Sequence, residues 1–211
     1  MQPRRAEEAR IADRRSLIAR CHRAWADGST RSALQWPGVA PRNPGSDVAH
    51  KALAPQFVRC FIVTVSDTRT EETDSSGRAI ADLLAAAGHE VAGRAIVRDD
   101  PDLVRRTIER QLANPLVQVI LTTGGTGITS RDSTYETVSA LMQKRLDGFG
   151  ELFRMLSYEQ IGPAAMMSRA CAGLVAGRIV VSLPGSEAAV RLAMERLLIP
   201  ELGHLVQQAS R

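Results

Sequence analysis

From about Pro55 onward the chain alternates short runs of β-branched and other apolar residues with longer stretches whose apolar positions recur at helical spacing. That alternation suits a parallel sheet flanked by helices: a strand buried on both faces reads as a continuous apolar run, and a covering helix as a one-sided stripe. Cys60 to Ser66 (CFIVTVS) predicts a first strand, Val91 to Arg98 a second, and Val117 to Thr122 (VQVILT) a third. Between them, Asp74-Ser75-Ser76-Gly77 starts a helix whose Ile80, Leu83 and Leu84 share a face and which Gly88 stops. Asp100-Pro101 opens another over Leu103, Val104, Ile108 and Leu112, with proline in the first turn, where its missing N–H costs nothing. Ser133-Thr134-Tyr135-Glu136 has capping-box spacing and predicts a helix through Val138, Leu141 and Met142. A Met- and Leu-rich helical stretch follows Gly148-Phe149-Gly150, then a strand pair over Gly173 to Ser182 turned at Ala176-Gly177, and a last helix from Glu187 to about Leu198. The expected architecture is α/β, a three-layer sandwich with a mostly parallel sheet between helices.

The first quarter of the chain reads differently. Residues 6–26 favour a helix with scattered apolar positions, and the closely spaced Pro and Gly from Trp36 to Pro55 predict an irregular linker. The expected organisation is therefore an N-terminal extension over 1–56, partly helical or disordered, and one domain over 57–211. Charge follows the same division. Residues 1–56 carry ten Lys/Arg against five Asp/Glu, whereas 57–211 carry 17 against 18, so the overall +4 belongs to the extension. A near-neutral body with 4% aromatics lacks the basic, aromatic-studded face of a nucleic-acid binder, and no nucleic-acid partner is expected. No apolar run reaches the roughly 20 residues of a membrane span, and no secretory signal is recognisable, so a cytoplasmic protein without a membrane partner is the expectation. Cys21, Cys60 and Cys171 are odd in number and widely separated, which argues against a disulfide framework or a zinc site.

In an open parallel sheet the ligand crevice lies outside the carboxyl ends of the strands, so chemistry is sought just after each strand. Four junctions stand out: Ser66-Asp67-Thr68, Arg98-Asp99-Asp100, Thr122 to Asp132 (TTGGTGITSRD), and Leu183-Pro184-Gly185-Ser186. In Thr123-Gly124-Gly125-Thr126-Gly127, three glycines and two threonines between a buried strand and a helix can turn backbone N–H groups inward, the construction of a phosphate cradle. The loop lacks the Gly-Lys-Ser/Thr ending of a P-loop, and Ser130 stands where a dinucleotide fingerprint needs its third glycine, which disfavours a dinucleotide-dependent oxidoreductase. Asp99 and Asp132 are the candidate catalytic carboxylates, with Asp132 also a candidate Mg²⁺ ligand, because phosphoryl chemistry needs charge compensation beside the phosphate. Taken singly, either aspartate could instead cap a helix. Ser66 and Ser186 are candidate ligand donors or ordinary turn residues, and Arg169 is either a phosphate clamp or an internal ion-pair partner. The apolar Leu152, Phe153, Met155 and Leu156 read as core or subunit interface. The four histidines suggest no triad or metal site.

Several of these segments together resemble the MoaB/MogA family of molybdenum-cofactor biosynthesis proteins, over roughly Phe57 to the C-terminus. They are Ile62 to Arg69 (IVTVSDTR), Thr73-Asp74-Ser75-Ser76-Gly77, the glycine loop with Arg131-Asp132, Gly148-Phe149-Gly150-Glu151, Ser168-Arg169-Ala170 and Leu183-Pro184-Gly185-Ser186. The run Gly148 to Gly162 is more similar to the MoaB branch than to the MogA branch. The resemblance implies a molybdopterin-binding, MogA-like domain that adenylylates molybdopterin with Mg²⁺ and ATP and releases pyrophosphate, or a non-catalytic carrier that keeps the pocket. It implies that Gly124, Gly125 and Gly127 hold a phosphate, with Asp67, Thr123, Thr126, Pro184 and Gly185 beside the substrates. By the same resemblance Asp99 and Asp132 serve catalysis or Mg²⁺, and Ser66 and Ser186 line the pterin site. It further implies a homo-trimer or hexamer and a MoeA-type molybdotransferase as partner. The extension has no counterpart in that resemblance.

Overall fold

The computed structural model describes residues 54–211. The helix expected over 6–26 and the linker after it lie outside those residues. Six strands form one sheet in the order β2-β1-β3-β6-β5-β4. They are β1 (Arg59–Val65), β2 (Glu90–Val97), β3 (Val119–Thr123), β4 (Lys144–Arg145), β5 (Cys171–Val175) and β6 (Arg178–Leu183). β2, β1, β3 and β6 pair in parallel, while β5 and β4 add an antiparallel edge. The helices are α1 (Ser75–Ala86), α2 (Pro101–Leu112), α3 (Thr134–Leu141), α4 (Asp147–Ile161), α5 (Glu187–Ala193) and α6 (Ile199–Ala209).

Alternation along each strand divides the core between the two faces of the sheet. Ile62, Leu121 and Val181 point to one side, where Ile80, Leu84, Val190 and Leu198 cover them. Val63, Ile120 and Val180 point to the other, under Val104, Ile108 and Val138. Because β2, β1, β3 and β6 run the same way, the residues following them all emerge at one edge. Local chemistry supports the starts and turns. Asp74 caps α1 by accepting from Gly77 N–H, Asp100 caps α2 by accepting from Leu103 N–H, and the β5–β6 turn has positive φ at both Ala176 and Gly177.

The structure departs from the sequence reading in four places. β4, only two residues long, falls in a stretch with no strand-length apolar run. α4 begins at Asp147, so Gly148-Phe149-Gly150 form its first turn rather than a break before it. Ser133 stands at the N-cap of α3, but its side chain makes no capping bond. It donates instead to Asp99 Oδ1 at 3.0 Å. The last helical stretch continues to Ala209 rather than ending near Leu198. Pro200 has no N–H to give, and the turn before it, Met194–Leu198, widens to π geometry, so the chain stays helical past the proline.

Candidate functional site

The four post-strand segments meet at the carboxyl edge of the sheet, stitched to one another by specific bonds. After β1, Ser66 Oγ accepts from the N–H groups of Thr68 (3.2 Å) and Arg69 (3.1 Å), curling the chain back over the strand end. Arg69 then reaches across to the segment after β6, donating to the Gly185 carbonyl at 3.0 Å and to Ser76 Oγ at 2.7 Å. Asp67 receives Arg131 from the glycine loop at 2.7 Å and Asp99 N–H at 3.4 Å. Thr123 Oγ1 donates to the Pro184 carbonyl at 2.9 Å. Ser186 caps α5, accepting from Ala189 N–H at 3.3 Å.

The glycine loop is shaped by close approach. Gly124 has φ +98° and donates its N–H to the Leu183 carbonyl at 3.1 Å, and a Cβ there would overlap the Val65 carbonyl oxygen. Gly125 has φ +62°, and its Cβ would overlap Thr134 Oγ1 and lie 2.5 Å from Asp99 Oδ2. A Cβ on Gly127 would lie 2.5 Å from Asp132 Oδ2. The glycines thus let this loop pack against β1, α3 and both candidate aspartates. A side chain at Gly125 would disturb Thr134 and Asp99 rather than fill open space.

Asp99 Oδ1 accepts from Ser133 Oγ (3.0 Å) and Thr134 Oγ1 (3.3 Å), so this carboxylate also steadies the start of α3. Its Oδ2 has no hydrogen-bond partner among the described residues. Asp132 Oδ2 accepts from Thr129 Oγ1 at 2.6 Å and Thr129 N–H at 2.9 Å. The Thr129 hydroxyl chiefly, helped by backbone N–H groups and the charge of Arg169, holds the Asp132 carboxyl below the usual range against partial burial. It is an anion throughout the neutral range. Among the described residues no group of three or more His, Cys, Asp or Glu side chains comes together as a metal cage. A divalent ion here would have to be completed by phosphate oxygens and water. That is the habit of Mg²⁺, and the free oxygen of Asp99 and the carboxylate of Asp132, each packed against a glycine of the same loop, fit it.

Asp74, expected only to start a helix, has a larger role at this edge, and Arg169 proves to be an internal ion-pair partner. Asp74 is fully buried and does more than cap α1. It accepts from Thr64 Oγ1 and Arg94 at 2.8 Å each and from Gly77 N–H at 2.9 Å, with Arg69 3.6 Å away. Burial pushes its pKa up, but the Gly77, Thr64 and Arg94 bonds outweigh that and hold it below the usual range. The sequence marked Asp74 only as a helix start, because Arg94 stands 20 residues away on β2 and nothing local links the two. Arg169, left open above, donates to the Thr126 carbonyl at 3.0 Å and to Glu136 at 2.7 Å, with its guanidinium 4.5 Å from the Tyr135 ring centre. It ties the glycine loop to α3.

Residues 61–204 match the family described as "Probable molybdopterin binding domain". Among proteins with curated names, the molybdenum cofactor biosynthesis protein B of Bacillus cereus is 53% identical over 163 residues, which is 77% of this chain and 96% of that protein. A crystal structure of a molybdenum cofactor biosynthesis protein B is also 53% identical, with a TM-score of 0.72 over 74% of this chain and 98% of that one. The tungsten cofactor synthesizing protein MoaB of Pyrococcus furiosus is 37% identical, with a TM-score of 0.67 over 75% of this chain and all of the other.

Proposed function

The chain belongs to the MoaB/MogA family of molybdenum cofactor biosynthesis proteins, nearest its MoaB branch, and from that premise we propose that it binds molybdopterin and adenylylates it with Mg²⁺ and ATP. The observation that carries this reading is the meeting of a backbone-lined glycine loop with two carboxylates, one of which keeps an oxygen free. In the proposed reaction an oxygen of the molybdopterin phosphate attacks the α-phosphorus of ATP, a new P–O–P link forms, and pyrophosphate leaves with the electron pair of the broken bond. A phosphate monoester is already a nucleophile at neutral pH, so positioning and charge neutralisation suffice, in keeping with the absence of any histidine among these loops. Bound Mg²⁺ would supply neutralisation of the developing charge. Asp99 Oδ2 and Asp132 are the groups that would hold it, and the glycine loop would seat a phosphate on its backbone N–H groups. Ser66, Asp67 and Ser186 lie where the rest of the substrates would rest.

The adenylylated product would pass to a MoeA-type molybdotransferase, in the cytoplasm. Exposed Leu152, Met155, Ile161, Met166 and Met167 on α4 and the turn after it suit burial between copies in a trimer or hexamer. Incubating the protein with molybdopterin and Mg·ATP and following pyrophosphate release tests the assignment. Release that requires molybdopterin supports it, and tight pterin binding without release makes the protein a carrier.

A further inference from the structure

Gly150 and Glu151, the second half of the motif Gly148-Phe149-Gly150-Glu151, take no part in the proposed reaction, yet they line a cavity of about 190 Å³ between the start of α4, β4 and the start of β5. Two arginines reach this cavity. Arg145 is held in place from several sides: it donates to Asp147 at 3.2 Å, to Tyr135 Oη at 3.3 Å and to Ser139 Oγ. Arg154 has no hydrogen-bond or ion-pair partner among the described residues. Its direction is nevertheless set. A Cβ on Gly150 would stand 3.2 Å from Arg154 Nη1, so the guanidinium lies back over the first turn of α4 in the space that glycine leaves. The same Cβ would stand 2.8 Å from the Ala170 carbonyl oxygen, so Gly150 also closes α4 against the strand that forms the cavity wall.

A guanidinium turned inward without a partner is an unspent set of planar donors. Of the two acids on this cavity, Asp147 is paired with Arg145, and Glu151 is exposed. The charges of Arg145 and Arg169 bear on Cys171 in the same wall, opposing the burial that pushes its thiol to about 11. We propose that Arg154 and Arg145, with the first turn of α4, form a second anion site for a phosphate-bearing small molecule, separate from the glycine loop. Tyr135 joins the two places, with its ring against Arg169 and its hydroxyl on Arg145. The cavity exceeds the roughly 30 Å³ share of one water several-fold, room for a phosphate or pyrophosphate group with some of its hydration.

The test is an NMR titration of the full chain with inorganic phosphate and, separately, pyrophosphate, following the arginine Nε–H signals and the glycine amides. The Arg145 and Arg154 Nε–H signals and the amides of Gly148 and Gly150 should move together on one isotherm. In Arg154→Gln the Arg145, Gly148 and Gly150 responses should weaken about tenfold or more, the scale of a charged hydrogen bond, while Gly124, Gly125 and Gly127 respond as before. Arg154 makes no described contact that folding relies on, and an unchanged amide spectrum elsewhere verifies that the variant is folded. Preference for pyrophosphate over phosphate would identify a diphosphate site, and the reverse a monophosphate one. Either preference supports the site. Silence of the Arg145 signal with both anions would overturn it, as would a response that Arg154→Gln leaves intact. Neither result depends on whether adenylyl transfer occurs.

Discussion

Asp74 and Asp132 lie among loops at the same edge of the sheet, and both carboxyls are held below the ordinary range, but by different means. Asp74 is fully buried, and both of its oxygens are taken by Thr64, Ser76, Gly77 and Arg94. Asp132 is partly open and accepts from Thr129 through one oxygen, and Asp99, packed against the same glycine loop, keeps an oxygen free. The first acid is consumed by the fold. The second pair is held by the fold and left able to act on something else. A depressed pKa alone therefore does not mark a catalytic group; spare hydrogen-bonding capacity at an open edge does.

Removing Asp74 should give the largest loss of stability. Asp74→Asn leaves Arg94 facing a neutral amide and one hydrogen-bond donor misplaced, and should cost about 3 kcal/mol, or roughly 6–12 °C in melting temperature. The contribution of this group is complete above its unfolded pKa near 4 and is lost as pH falls through its lowered native value. Acid-unfolding curves of the variant should thus be shallower below about pH 4 than those of the parent; curves of equal steepness would show that Asp74 does not titrate with unfolding.

Gly124→Ala comes next, at about 1–3 kcal/mol, because the new Cβ meets the Val65 carbonyl at a φ that L side chains rarely adopt. Gly148→Ala is its control, since a Cβ there meets nothing within 4 Å, and thermal melts of the two should separate clearly. Gly125→Val should lower the rate of adenylyl transfer as well as phosphate affinity, because its side chain collides with Asp99 before it reaches any ligand. A loss of affinity with an unaltered rate at saturation would contradict that order. The smallest effect is expected from deleting residues 1–52: the first strand begins at Arg59, and the described segment that packs Pro55 against Gly203 is retained. A shifted melt would show that the extension contributes to the body.

Much of the sheet was legible because each central strand is a run of apolar residues such as Ile62-Val63 or Val180-Val181, buried on both faces and bounded by polar loops. The Ala176-Gly177 turn and the Asp74 and Asp100 caps were legible for a local reason, the residue type that each backbone position requires. β4 was not, because Lys144 and Arg145 are exposed and pair only through backbone with β5. The helix past Pro200 was hidden because a π turn cancels the break that proline normally signals. At the site, the glycine loop and its two aspartates were visible as a string of small and acidic residues after strands. The Arg69–Asp74–Arg94 assembly was not, since it is made by residues from three elements whose meeting only the fold decides.

The claim that Asp132 acts in chemistry while Asp74 acts in folding is tested most directly with Asp132→Asn. Asparagine keeps the size of the side chain and can still accept from Thr129, so the melting temperature and the molybdopterin dissociation constant should stay near those of the parent. Pyrophosphate release measured on the same preparation should fall by about a hundredfold or more, the mark of a group needed chiefly in the transition state. Near-parental release would contradict the account by removing Asp132 from the mechanism, and an equal collapse of pterin binding would contradict it by making Asp132 a substrate anchor.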